Sequence, residues 1–201
     1  MIFTESIKLY NRKHYQLYDK NFIKNITAIL ENIVFIGGIH GSGKGEICKI
    51  LKSKTDFIHL TASEILKWSE LSPQEEKLVK DIDETQNRLV SNLYKIVEED
   101  KSYLLDGHYC LLNKDETPEK IPIQTFKDIN PKKLILVKAE PNIIKKRLEN
   151  RDGKIYNIKL IQKFQNLEIN FANELSHTLK SPIHIIDSER FDIATLLNFL
   201  K

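Results

Sequence analysis

The chain has 201 residues, 41% of them apolar and 29% charged, which is enough for one domain with a sizeable core and too few for two ordinary ones. Lys and Arg number 31 against 28 Asp and Glu, a formal charge of +3 that makes no electrostatic case for nucleic acid or an anionic membrane. Cys48 and Cys110 are far apart in sequence with no CxxC, which excludes a disulfide scaffold and a zinc ribbon and points to a reducing, cytoplasmic compartment.

In chain order, residues 1–32 come first. Charged side chains stand where a signal peptide needs an apolar core, and no run anywhere approaches ~18 apolar residues, so neither secretion nor membrane spanning is expected. Tyr15, Tyr18, Phe22, Ile26 and Ile29 follow helical spacing. Two readings fit: an added helix packed on the core, or, with Arg12, Lys13, His14, Lys20 and Lys24 beside the tyrosines, a surface for nucleic acid or a protein partner.

Ile33-Val34-Phe35-Ile36 reads as a buried strand, and Ile47, Ile50 and Leu51 after it recur at helical spacing. Between them lie Gly37, Gly38, Gly41, Gly43 and Gly45, five of the seven glycines. Such a concentration marks backbone conformations or approaches that a Cβ forbids. Phe57–Leu60 and Tyr103–Leu105 read as further strands, as do Leu134–Val137 and Ile183–Ile186. Helical patterns separate them: Pro73 to Glu99, opened by a Ser72/Glu75 capping box and striped by Leu78, Ile82, Leu89, Leu93 and Val97; one beginning at Pro141; one carrying Leu160, Phe164, Leu167, Phe171 and Leu175 opposite Lys163, Gln165, Asn166 and Asn173; and Phe191 to Leu200. Asn113 to Pro122 is expected to be a long loop. Alternating strands and helices predict an α/β fold with a five-stranded parallel sheet covered on both faces.

Gly38 to Gly45 fits G-x-x-x-x-G-K, the phosphate-binding loop, in its strand-to-helix context. Successive backbone N–H groups of such a loop point into one concavity, the helix N-terminus adds about half a positive charge, and Lys44 supplies an ammonium for β and γ phosphates. His40 is read as shaping the loop. Gly45 replaces the Ser or Thr whose hydroxyl usually meets Mg²⁺. Asp106, at the end of the third strand, is the candidate metal carboxylate; a plain turn residue before Gly107 is the other reading.

These residues resemble P-loop nucleoside-monophosphate kinases of the adenylate kinase type. The features that carry the resemblance are Gly43-Lys44-Gly45, Leu105-Asp106-Gly107, and Arg147 with Arg151 behind the fourth strand. Asp106-Gly107-His108, Thr85-Gln86-Asn87-Arg88 and the Pro141–Asp152 helix are closest to the archaeal-type branch and its relative, the adenylate-kinase-like ATPase of ribosome maturation. The similarity runs from about Ile33 to Ser188.

The resemblance implies a P-loop NTPase three-layer sandwich over 33–201, with an acceptor side at about 61–97, a short lid at about 147–158, and 1–32 as a helical extension outside it. It implies Mg²⁺ and ATP as phosphoryl donor. Gly38, His40, Gly41, Ser42, Gly43, Lys44, Gly45 and Glu46 would form the nucleotide-binding segment, with Asp106 holding the metal. Arg147 and Arg151 would meet the charge developing in transfer, since guanidinium grips phosphate bidentately; solvated charges paired with Glu149 or Asp152 are the alternative. Ser63, Gln86 and Arg88 would bind the acceptor, a nucleoside monophosphate. His108 is read as a hydrogen-bonding or water-positioning group or as a loop histidine with a structural partner. An ATPase or nucleotide-dependent switch acting on RNA or a protein partner is the alternative function, and a binding module with little turnover a third. Two departures stand out. Glu46 occupies the family's Thr position, where it caps the helix facing away, joins the metal shell or weakens nucleotide binding; and no Arg follows Asp106-Gly107.

Overall fold

A computed structural model of the chain describes residues 32–67, 82–113 and 115–201. The N-terminal tyrosine stripe and the Ser72–Leu78 start of the long helix lie outside the described residues. The elements run β1 (Ile33–Gly37), α1 (Lys44–Lys54), β2 (Ile58–Thr61), α2 (Ala62–Lys67), α3 (Ile82–Ile96), β3 (Tyr103–Asp106), β4 (Cys110–Leu112), β5 (Pro118–Lys120), α4 (Ile123–Ile129), β6 (Lys133–Lys138), α5 (Pro141–Asp152), α6 (Ile158–Leu179), β7 (Ile183–Asp187) and α7 (Ile193–Leu200). The five expected strands form one sheet in the order β2-β3-β1-β6-β7, and every pairing in it is parallel. Among the described residues no helix is long and apolar enough to cross a membrane.

The period of two along each strand sorts the apolar side chains into two cores. Ile33, Phe35, Tyr103, Leu105, Leu134 and Leu136 face one way, and pack with Leu89 and Leu93 of α3, Phe126 of α4, Ile144 of α5 and Phe164, Phe171 and Leu175 of α6. Val34, Ile36, Leu104, Ile135 and Val137 face the other way, against Ile47, Cys48 and Leu51 of α1 and Leu196 of α7. Both faces are thus covered, which is why the central strands read as continuous apolar runs.

Local chemistry sets several element ends. Asn157 caps α6 by accepting from the Lys159 and Leu160 amides at 2.9 and 3.4 Å, and Asp192 caps α7 through the Ala194 and Thr195 amides. Pro141 opens α5 and Gly153 closes it with φ 65°.

Three expectations change. The Asn113–Pro122 segment contains half of a β4–β5 hairpin rather than a plain loop. Its second strand, Pro-Glu-Lys, has no apolar alternation to announce it; the turn is held by Asn113 Oδ1, which accepts from the Asp115 and Thr117 amides at 3.0 Å each. The short helices α2 and α4 were not expected, since six or seven residues cannot display a helical period. On α6, Gln165 belongs to the buried face together with Glu168, because the two side chains satisfy backbone groups at the sheet's carboxyl edge.

Candidate functional site

The carboxyl ends of the parallel strands are where ligands collect in such sheets, and the glycine loop leaves β1 at that edge. Gly43, the N-cap of α1, has φ 97° and no side chain caps the helix. A Cβ on Gly43 would lie 2.7 Å from the Ser188 Cβ, and one on Gly38 (φ 149°) 2.3 Å from the Val137 carbonyl oxygen. The loop is therefore pressed between the carboxyl end of β6 and the residue that follows β7, and only glycine fits at both points. A Cβ on Gly45 would meet nothing within 4 Å. Ser42 is buried with its Oγ unpartnered.

Lys44, the first residue of α1, forms an ion pair with Asp106, the last residue of β3, and both side chains are largely enclosed at 14% and 13% exposure. In sequence β2, α2 and α3 stand between the two elements, but β3 pairs directly with β1, the strand that leads into the loop, setting Ile36 opposite Asp106. Burial alone would raise the Asp106 carboxyl; His59 and Lys44 more than offset this and hold it below its ordinary range. His59 Nε2 lies 3.7 Å from Asp106 Oδ2, too far for a hydrogen bond, and is buried without a partner. Cys48 Sγ lies 3.8 Å from the same oxygen. Burial, and then the Asp106 charge, push the Cys48 thiol up to about 12.

Arg147 of α5 reaches back to the loop. Its guanidinium donates to the Gly41 carbonyl at 3.1 Å and to Ser188 Oγ at 3.2 Å, and pairs with Glu189. Arg151, one turn further along, instead forms a two-pronged pair with Asp152 at 2.8 Å per contact; Tyr156 donates to that same carboxylate. The two arginines thus have different settings, one joined to the phosphate loop and one to the α5–α6 turn. Glu46 is 72% exposed and paired with Lys49 at 2.7 Å, with no contact to the Lys44–Asp106 pair.

His108 follows Asp106 by two residues. Its ring packs on the exposed His40 at 4.5 Å between centroids, its Nδ1 is buried and unpartnered, and burial, aided by the Lys44 charge, drives its pKa down to about 3. The imidazole is neutral. Behind it Glu168, fully buried, accepts from the Tyr109 amide at 3.1 and 3.3 Å and the Cys110 amide at 3.1 Å. Burial outweighs those two amides and raises its pKa to about 8. Gln165 clasps Ala139 at the end of β6, its amide bonding both the Ala139 N–H and carbonyl.

The expected acceptor residues sit on α2 and α3. Gln86 is buried and Arg88 half-buried on α3, while Ser63 is exposed on α2, 3.4 Å from the Thr61 hydroxyl. Asn92 of α3 bonds the Ile65 carbonyl of α2 at 3.1 Å, joining the two helices.

Sequence reasoning missed Cys48, His59, Gln165 and Glu168 as site components. Cys48 carried a signal, being four residues after Lys44 on one helix. So did Glu168, a carboxylate on an apolar stripe, four residues after Phe164 and three before Phe171. His59 carried none, since only strand pairing brings it to Asp106.

A parallel sheet of this order, a glycine loop clamped at its edge and a lysine–aspartate pair at the loop's end define a P-loop, kinase-like nucleotide-binding domain. The chain belongs to the AAA domain family, which it matches over residues 37–162. It is 22% identical over 165 residues to the "Putative adenylate kinase" of Methanocaldococcus jannaschii, covering 82% of this chain and 81% of that one. In fold it is similar to the YorR protein of Bacillus subtilis in complex with phosphorylated GDP (TM-score 0.50, 16% identity, 84% and 94% of the two chains). A gluconokinase from Sinorhizobium meliloti aligns at TM-score 0.48 and 10% identity, over 85% and 90% of the two chains.

Proposed function

We propose that the chain transfers the γ-phosphoryl of Mg-ATP to a small acceptor, a nucleoside monophosphate. The observation that carries this reading is the enclosed Lys44–Asp106 pair at the point where a glycine loop meets a helix N-terminus. Phosphoryl transfer needs little covalent help from protein, and positioning with positive charge does most of the work. The loop amides from Gly38 to Gly45 and the Lys44 ammonium hold the donor phosphates. Arg147 is already tethered to Gly41, so its guanidinium is placed to meet charge on the transferring group. Arg151 joins it if the 147–158 segment closes as a lid and exchanges Asp152 for phosphate. Ser63, Gln86 and Arg88 form the acceptor side within 61–97. His40 and His108 border the loop, and Glu46 is its outward-facing flank.

The donor set fits Mg²⁺. Asp106 offers one hard carboxylate at the mouth of the site, and Mg²⁺ is commonly held by one or two carboxylates with waters and phosphate oxygens completing its shell. The absence of a hydroxyl at Gly45 leaves Asp106 as its protein ligand. Held by Asp106, such an ion would supply charge neutralisation at the donor phosphates. The relative named for adenylate kinase supports ATP as donor. Residues 1–32 would offer the surface for a nucleic-acid or protein partner.

Incubation with Mg-ATP and a panel of nucleoside monophosphates, followed by separation of products, tests the reading. Diphosphate formed only when an acceptor is present is the expected result. The neutral imidazole of His108, whose buried Nδ1 has no hydrogen-bond partner, suits orientation of a water and favours an ATPase as the second reading. ADP formed at the same rate without acceptor would establish that reading in place of the first.

A further inference from the structure

On the α1 face of the sheet, two side chains without a stated role in phosphoryl transfer, Cys48 and His59, converge on Asp106. His59 pairs with Leu104, two residues before Asp106 on the neighbouring strand, so the period of two sends the His59 and Asp106 side chains to the same face. Cys48 of α1 packs onto that face. One sulfur, one imidazole nitrogen and one carboxylate oxygen then lie within 4.8 Å of one another. Two of the separations, 3.7 and 3.8 Å, are close to the tetrahedral edge of ~3.3–3.6 Å that zinc–ligand bonds of ~2.0–2.3 Å generate. His59 Nε2 is buried with no hydrogen-bond partner, a cost that a bound cation removes.

We propose that Cys48, His59 and Asp106 form a site for a soft divalent cation of the zinc class, distinct in its donor chemistry from the all-oxygen shell that Mg²⁺ prefers. The three residues supply S, N and O donors, and the fourth tetrahedral position goes to water through the partly open side of His59, which is 23% exposed. Binding exchanges the thiol proton for the metal. Lys44 stays on the other Asp106 oxygen, where it neutralises and orients the ligating carboxylate. Since Asp106 is also the carboxylate assigned to the Mg-nucleotide, the two ligands exclude one another and the soft metal acts as an inhibitor. That consequence alone rests on the phosphotransfer reading.

The test uses the full chain without nucleotide, titrated with Co²⁺ and with Zn²⁺ against a chromophoric chelator. Expected are one tight site, a thiolate-to-cobalt charge-transfer band and the strong visible absorption of tetrahedral cobalt. Cys48→Ser should abolish the charge-transfer band. His59→Gln should weaken Zn²⁺ binding by more than the ~10–100-fold typical of losing a residue that only supports a ligand. His59→Gln is the variant that keeps the test decisive if Cys48→Ser does not fold. Binding as tight in His59→Gln as in the parent, or a cobalt spectrum with no thiolate band in the folded parent, overturns the site. Because no nucleotide is present, failure here is distinguishable from failure of the phosphotransfer assay.

Discussion

Glu168→Gln separates a buried carboxyl's two roles, accepting amide hydrogen bonds and carrying a titratable proton. Glu168 is fully buried beneath the Tyr109 and Cys110 amides, and burial moves its pKa from an ordinary 4.5 to about 8. Between those values the folded chain holds a proton that the unfolded chain has released, so stability falls as pH rises, by up to about 1.4 kcal/mol per unit. His108 works in the opposite sense. Its ordinary 6.5 drops to about 3 in the fold, so below 6.5 the unfolded chain takes up a proton that the folded one refuses, and stability rises with pH until 6.5. From 4.5 to 6.5 the two slopes oppose each other. From 6.5 to about 8 only Glu168 of this pair is active, and the loss over about 1.5 units comes to about 2 kcal/mol. Glutamine retains an oxygen for the two amides and cannot ionise. Urea unfolding of parent and variant at pH 6.5 and 8 should therefore show the parent losing about 2 kcal/mol more than the variant. The comparison removes titrations common to both chains. Parallel pH dependences would refute the reasoning.

Further outcomes are expected at the site. Lys44→Ala should weaken ATP binding by about 10- to 100-fold, the loss of a charge-assisted hydrogen bond of ~1.5–3 kcal/mol; unchanged affinity by calorimetry would remove the phosphate-loop assignment. Arg147→Ala should lower kcat more than it raises the donor KM if the guanidinium acts mainly on the transition state, and a normal kcat with a raised KM would show that it only binds. Glu46→Thr should leave ATP affinity within about twofold, because an exposed i,i+3 pair such as Glu46–Lys49 contributes only a few tenths of a kcal/mol. A marked tightening would mean that the carboxylate faces the nucleotide in the bound state.

What the sequence determined by itself was every feature written in short-range pattern. Five apolar-rich runs gave five parallel strands; the central ones are continuous because a strand buried on both faces has no choice but Val, Ile, Leu and Phe, while the edge strands β2 and β7 are partly exposed and each admits a histidine. The glycine cluster announced its loop because a bend with φ near +97° at Gly43 excludes other residues. The long stripe from Phe164 to Leu175 announced α6. Tertiary structure decided what no local pattern encodes. The β4–β5 hairpin depends on Asn113 folding the chain back and on a polar second strand. Gln165 and Glu168 are polar by type and buried by position, since the unpaired amides at Tyr109, Cys110 and Ala139 require acceptors and only α6 supplies them. Arg147 and Arg151 look equivalent at i and i+4, yet one meets the Gly41 carbonyl and the other Asp152, a distinction set by where α5 crosses the loop. The meeting of Cys48, His59 and Asp106 comes from three elements separated by up to 58 residues. Strand order, not sequence distance, makes them neighbours: β3 inserts between β1 and β2, bringing the carboxylate between a helix that follows one strand and a histidine that lies on the other.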